Sequence, residues 1–248
     1  METLAQAQAE TYSVALALQD YVPVALSAAG LFYLAEMIAR LSGDRRISRI
    51  ALLGAWLVML GGGIKASWKL NLALTGVDVR WMDNALFGLL GPGFTALGWA
   101  LSAAQRRVAG QPLTSRWAWL FPFVVSALFL ATAAGLAWAQ PGSRAWFFVL
   151  LGMTTIANFA LSGLAIRQAW SQGRRGIALL FIINVAAILV LQGLARTGNR
   201  TELMQWIEQS LNSFSNLAFA LAAYRLNRVT RSALDTPVAA PAAATGMD

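Results

Sequence analysis

Seven apolar stretches, separated by short polar loops, constrain this chain more than any other feature of its sequence. Each has about the 20 residues that an α-helix needs to cross a hydrocarbon layer roughly 30 Å thick. Hydrophobic residues make up 58% of the chain, and the runs lack the polar stripe of a surface helix. The sequence therefore predicts an all-α membrane protein, a bundle of seven transmembrane helices. The stretches run from Tyr21 to Arg40, Ile47 to Trp68, Trp81 to Ala104, Trp117 to Gln140, Ala145 to Ile166, Gly176 to Ala195 and Leu203 to Leu226.

Basic residues are distributed unequally between the two sets of loops. One set carries 13 of them and the other carries 6. Because cytoplasmic loops retain an excess of Lys and Arg, we expect the N-terminus outside, the C-terminus in the cytoplasm and the cell inner membrane as the location. The larger set is Arg40, Arg45, Arg46, Arg49, Arg106, Arg107, Arg116, Arg167, Arg174, Arg175, Arg225, Arg228 and Arg231, and the smaller set is Lys65, Lys69, Arg80, Arg144, Arg196 and Arg200.

Three regions follow from this pattern. Residues 1–20 are expected to form an extracytoplasmic segment; they carry Glu2, Glu10 and Asp20 but no basic residue, unlike a cleaved signal peptide. Residues 21–228 are expected to form the seven-helix domain, and its short loops favour antiparallel neighbours in one bundle. Residues 229–248 are rich in Ala and Pro and are predicted to be a disordered cytoplasmic tail.

The chain contains no cysteine and no histidine. Disulfides, thiolate nucleophiles, imidazole bases and haem ligands of these two types are therefore excluded, and zinc, copper and iron sites are disfavoured. We expect a non-enzyme, although an Asp, Glu or Lys mechanism stays open. The net charge of +8 is interpreted as a topology signal rather than a nucleic-acid surface, because the basic residues are spread over loops.

Charged side chains in the outer halves of three stretches predict a polar cluster beneath the outer surface. Lys65 and Lys69 are four residues apart on the second stretch, Arg80 and Asp83 flank the start of the third, and Glu208 lies in the seventh. Charges inside the hydrocarbon are costly unless they are paired or hydrated, so these residues are expected to satisfy one another. The favoured interpretation is a salt-bridge lock between helices, and the alternative is an ion, proton or ligand site.

Amide side chains extend this cluster toward the middle of the bundle. Glu208, Asn212 and Asn216 recur every four residues, which places them on one face of a helix. Interhelical amide hydrogen bonds are common in membrane proteins, but a water-filled cavity or a small binding pocket is the alternative. The amides on other stretches that could meet this face are Asn84, Asn158, Asn184 and Gln192.

Glycines interrupt two stretches. Gly61-Gly62-Gly63 lies in the second stretch, and Gly91-Pro92-Gly93 lies in the third. Close packing of helices is the favoured reason for glycines in spans, whereas proline removes a backbone hydrogen bond and can open a kink.

The start of the third stretch, Arg80-Trp81-Met82-Asp83, resembles the corresponding motif of microbial rhodopsins. That resemblance implies a seven-helix fold with Asp83 at the position of the counterion of a retinal Schiff base. Asn212 and Asn216 occupy the spacing of the family's second carboxylate and its retinal-bearing lysine. Because Asn216 has no amine, the resemblance implies a rhodopsin-like protein without covalent retinal, so no cofactor is expected and a non-covalent ligand stays unidentified.

Three classes of function are compatible with these features. The favoured class is a non-catalytic protein that binds a small ligand or a partner in a sensory or scaffold role. Its partners would be membrane lipids and a cytoplasmic protein at the basic inner loops, which contain Arg45, Arg46, Arg106, Arg107, Arg174 and Arg175. The alternative is a small transporter or an ion or proton channel that uses the outer polar cluster. A membrane enzyme acting on lipid fits least well.

Overall fold

The computed structural model describes residues 13–111, 115, 117–194 and 201–235, and all regular structure in this part of the chain is helical. A short helix, Val14–Gln19, leads into the first long helix, and a 3₁₀ turn, Ala118–Leu120, leads into the fourth. The long helices are α1 (Tyr21–Ser42), α2 (Arg45–Thr75), α3 (Arg80–Val108), α4 (Phe121–Ala139), α5 (Ala145–Ser171), α6 (Arg175–Leu194) and α7 (Glu202–Asp235).

Each predicted apolar stretch coincides with one long helix, but several helices run further than the apolar pattern. Helix α2 continues to Thr75 and ends at Gly76, whose positive φ of 69° suits glycine. Helix α7 continues to Asp235, so the first residues of the predicted disordered tail are helical. Residues 1–12 and 236–248, and the basic residues Arg116, Arg196 and Arg200, lie outside the described residues.

Within the described residues, six helical segments are long and apolar enough to cross a membrane. They are Val14–Ser42, Arg45–Thr75, Arg80–Val108, Ala118–Ala139, Ala145–Ser171 and Arg175–Leu194. The described part of the chain is therefore helical and has six candidate membrane spans, which indicates a multi-pass membrane protein. Helix α7 is not among them because glutamates, amides and serines interrupt its apolar residues.

The long helices pack in a closed ring. Helix α1 contacts α2 and α7, α2 packs on α3, α3 packs on α5, and α6 lies between α5 and α7. Helix α4 lies at the edge of the ring, against α3 and α5. Only 17% of the most apolar 18-residue stretch of α4 is buried, compared with 33% for the corresponding stretch of α5. One side of α4 is therefore open to its surroundings.

The helix ends group into two opposite faces of the bundle. At one face, Arg107 near the end of α3 contacts Asp44 at the start of α2, and Asn227 of α7 contacts Glu36 of α1. We call this face the arginine-rich end. At the other face, Lys69 of α2 contacts Asp20, which precedes α1, and we call this face the lysine end.

Close backbone packing joins α2 to α3. A Cβ atom on Gly54 would lie 2.6 Å from the carbonyl oxygen of Gly93, and a Cβ on Gly93 would lie 2.6 Å from Val58 Cγ2. Gly61 and Gly91 are similarly close to side chains of neighbouring helices. These contacts match the packing interpretation of the glycine runs, whereas a Cβ on Gly63 would meet nothing within 4 Å.

We expect Gly54→Ala to destabilise the bundle by about 1–3 kcal/mol, because the added methyl group meets a backbone oxygen that cannot move independently. The measurement is the free energy of unfolding in mixed micelles. Gly63→Ala is the matched control on the same helix, and it should be neutral or stabilising because it lowers the backbone entropy of the unfolded chain. Equal effects of the two substitutions would contradict the close contact.

Candidate functional sites

Lys65 of α2 and Asp83 of α3 form an ion pair at the lysine end. The Lys65 ammonium also lies 4.0 Å from the centre of the Trp68 ring, one helical turn further along α2. The Lys65 and Asp83 side chains are 27% and 40% exposed, so this pair is partly hydrated. Of the residues predicted to form the outer cluster, these two are brought into direct contact.

A second ion pair lies beside the first and was not predicted. Lys69 of α2 contacts Asp20 at 2.5 Å, with side chains only 14% and 9% exposed. The sequence pattern places Asp20 in the extracytoplasmic segment rather than in this cluster. Lys65 and Lys69 are four residues apart and therefore share a face of α2. Two positive charges on one helix face each need a negative partner, so this spacing already indicates two carboxylates.

Residues next to Asp20 extend this network to α7. The Tyr21 hydroxyl is 2.9 Å from the Ser67 hydroxyl of α2, and Gln19 donates a hydrogen bond of 3.1 Å to the Ser213 hydroxyl of α7. The short junction between Val14–Gln19 and α1 thus connects α2 with α7. Sequence reasoning missed this junction because it lies outside the apolar stretches.

Three other predicted members of the cluster lie apart from the Lys65–Asp83 pair. Among the described residues, Glu208 forms no ion pair with Lys65, because α7 packs against α1 and α6 rather than against α2. Arg80 is 87% exposed and contacts Asp78 at 3.4 Å, and Asn84 is exposed. The expectation of a cluster formed by the second, third and seventh stretches is corrected: the second carboxylate at the two lysines is Asp20, which belongs to none of these stretches.

The predicted amides divide between two local arrangements. Buried Asn184 of α6 donates hydrogen bonds to the Ser215 hydroxyl and carbonyl of α7, at 2.9 and 3.1 Å. Asn216 donates to the Asn212 side chain and carbonyl, both at 2.9 Å, within α7. Asn158 of α5 is half-buried. Ser215, rather than Asn212 or Asn216, therefore provides the polar contact between α6 and α7.

Polar contacts also join helices at the arginine-rich end. Asn227 of α7 donates to Glu36 of α1 at 2.7 Å, and Arg167 of α5 donates to the buried Gln105 of α3 at 2.5 Å. Burial alone would raise the pKa of Asp44, but hydrogen bonds from the α2 backbone and the neighbouring Arg107 outweigh burial and hold that pKa below its ordinary value. Asp44 is thus a charged N-cap for α2.

An apolar groove of about 270 Å³ lies between α3, α4 and α5. The Thr95 hydroxyl in its wall already donates to the Gly91 carbonyl at 2.8 Å, so the walls are mainly apolar and aromatic. We call this feature the apolar groove; it is lined by Phe94, Thr95, Gly98, Trp99, Phe121, Val125, Phe129, Met153, Ile156, Ala157, Ala160 and Leu164.

The sites differ in the groups that they present. None of the described residues that line the apolar groove is titratable, and the charged side chains at the lysine end form Lys–Asp pairs. Within the described residues, no group of three His, Cys, Asp or Glu side chains could hold a metal ion. The bundle therefore has ion pairs that join helices at the lysine end and the apolar groove at its side.

Comparison of the chain with protein-family models, with curated proteins and with solved structures found no match. The class of protein thus follows from the structure alone, as an all-helical protein with six helices that could cross a membrane.

We expect Asp20→Asn to cost about 3 kcal/mol of unfolding free energy, because it removes the carboxylate that contacts the largely buried Lys69 ammonium. Asp83→Asn should cost only about 1 kcal/mol, since its pair with Lys65 is partly hydrated. Both values can be measured by reversible unfolding in micelles, with Lys69→Met and Lys65→Met completing two double-mutant cycles. A larger coupling energy for Lys65–Asp83 than for Lys69–Asp20 would contradict this ranking.

Proposed function

We propose that this chain is a non-catalytic, multi-pass protein of the inner membrane that binds an apolar ligand in the apolar groove and serves a sensory or scaffold role. The observation that carries the proposal is the groove itself. Concave, mostly apolar recesses with few polar groups are the usual form of small-molecule sites in proteins.

The position of the groove suits a ligand that is dissolved in the membrane. Helix α4 forms one wall and is the least buried of the candidate spans. Phe121 and Ile156 line the groove and are 60% and 69% exposed, so the groove opens sideways rather than toward an aqueous loop. A ring compound or a segment of a longer apolar chain could therefore reach it from lipid.

Gly98 supports the interpretation of the groove as a built recess. A Cβ atom on this residue would have no neighbour closer than 3.9 Å, the distance to the Leu161 backbone nitrogen. The missing side chain is therefore not required by helix packing at this point, in contrast to Gly54 and Gly93. Its effect is to leave the wall of α3 open between Phe94 and Trp99.

The proposed topology has seven crossings, with α7 as the seventh, the N-terminus outside and the C-terminus in the cytoplasm. Two features support it. Helix α7 fills the ring between α1 and α6, and the loops at the arginine-rich end belong to the set that carries 13 of the 19 basic residues.

A rhodopsin-like origin without covalent retinal is part of the same proposal. It is supported by the Arg80-Trp81-Met82-Asp83 motif at the start of α3 and by a ring of seven long helices. The cationic partner of Asp83 here is the Lys65 ammonium of α2, and position 216 holds an asparagine. Any pigment would therefore be held without a Schiff base on α7.

Transport is the second candidate function. It is favoured by the two adjacent Lys–Asp pairs at the lysine end and by Pro92 within α3, because intramembrane charges and interrupted helices are typical of transporters. None of the four paired residues lines the apolar groove. We place ligand binding first because it has a recess of its own.

The test is to extract the protein purified in mild detergent and to measure any apolar ligand by absorbance and mass spectrometry. We expect a ligand close to one per chain in the unaltered protein and in Gly98→Ala, since one methyl group meets no close neighbour. Gly98→Phe fills the groove and should lower the bound fraction about tenfold or more at a fixed ligand concentration.

Circular dichroism and thermal unfolding serve as the folding control for both variants. An empty unaltered protein, or a ligand retained by a folded Gly98→Phe variant, would contradict binding in the apolar groove.

A further inference from the structure

A second groove lies at the arginine-rich end, between the start of α6 and the last third of α7. Its volume is about 1080 Å³, and it is open on one side. We call it the basic groove and define it by Arg174, Ile177, Leu221, Tyr224, Arg225 and Arg228, which all line it. It shares no lining residue with the apolar groove.

The basic groove is suited to an anion. Its three arginines are exposed, and among the described residues no aspartate or glutamate lines it. Guanidinium groups bind phosphate oxygens with paired hydrogen bonds, which makes arginine a preferred residue for phosphate recognition. Helix α6 also begins at Arg175 beside the groove, so the positive end of its dipole adds to the same field.

An apolar track leads away from these arginines along α7. Leu217, Leu221, Tyr224 and Arg228 follow one another at intervals of four, three and four residues, which places them on one face of the helix. The three apolar members are 42%, 40% and 42% exposed. A chain that leaves the arginines could therefore lie against this face for about two helical turns toward the middle of the bundle.

We propose that the basic groove binds an anionic phospholipid, with its phosphate at Arg174, Arg225 and Arg228 and one acyl chain along Leu217, Leu221 and Tyr224. A cationic mouth followed by an exposed apolar track matches both parts of such a lipid. An acidic soluble protein would use the arginines but would leave the apolar track unmatched. The bound lipid would cover the junction between α6 and α7, where α7 closes the ring.

The test is native mass spectrometry of the purified full-length chain, titrated in detergent with phosphatidylglycerol or with phosphatidylcholine. We expect the unaltered protein to bind phosphatidylglycerol more tightly than phosphatidylcholine. The double variant Arg225→Gln/Arg228→Gln should weaken that binding about tenfold or more, because it removes two charge-assisted contacts. Leu221→Trp, which keeps every charge but blocks the apolar track, should weaken it as well.

Arg45→Gln/Arg46→Gln is the matched control, since it removes the same charge from exposed positions at the same end but outside the groove. It should change phosphatidylglycerol binding by less than about twofold. If the two double variants lose phosphatidylglycerol binding equally, general surface charge explains the loss and the proposal is overturned. Unchanged phosphatidylglycerol binding in Arg225→Gln/Arg228→Gln would overturn it as well.

Two further experiments distinguish a lipid ligand from a soluble anion and control for a variant that does not fold. Excess inorganic phosphate should leave phosphatidylglycerol bound; displacement by inorganic phosphate would assign the groove to a soluble anion and overturn the proposal. If thermal unfolding shows that the double variant does not fold, Arg174→Gln on α6 takes its place. Unchanged lipid binding in a folded Arg174→Gln variant and in Leu221→Trp would also overturn it.

Discussion

The closure of the helical ring depends on satisfying the polar groups of α7. A polar group without a partner in an apolar environment costs several kcal/mol, and α7 carries more of them than the other long helices. Neighbouring segments form hydrogen bonds with some of these groups at three levels: Gln19 with Ser213, Asn184 with Ser215, and Glu36 with Asn227. Each contact joins α7 to α1, to the segment preceding α1 or to α6, so these contacts explain how a helix of low hydropathy lies inside the bundle.

The two grooves follow from this arrangement. Because α1, α2 and α3 pack closely and α7 closes the ring beside α1, α4 is left at the edge against α3 and α5, where the apolar groove forms. Near the arginine-rich end, α7 extends beyond its buried contact with α1, and its exposed arginines face the start of α6. The ion pairs at the lysine end hold α2, α3 and the Asp20 junction together, away from either groove.

Much of the fold could be predicted from the sequence, because hydrophobic length specifies a membrane helix directly. The predicted first residues of α1 and α5, Tyr21 and Ala145, are also their first residues in the structure. The contact between Lys65 and Asp83 could be anticipated from their similar depth. The role of Asp20 and the separation of Glu208 from the two lysines could not, because both depend on which helices become neighbours. The apolar groove is built from residues that also face lipid, so composition alone could not distinguish its walls.

The position of α7 can be tested most directly by single-cysteine labelling, since the chain contains no cysteine of its own. Thr201→Cys and Ser232→Cys place a thiol near each end of α7, at exposed positions. A membrane-impermeant maleimide is applied to intact cells and to inverted membrane vesicles, and the extent of labelling is compared. If α7 is the seventh crossing, position 201 reacts only from outside and position 232 only from the cytoplasmic side. Labelling of both positions from the same side would contradict the crossing and leave a protein with six spans.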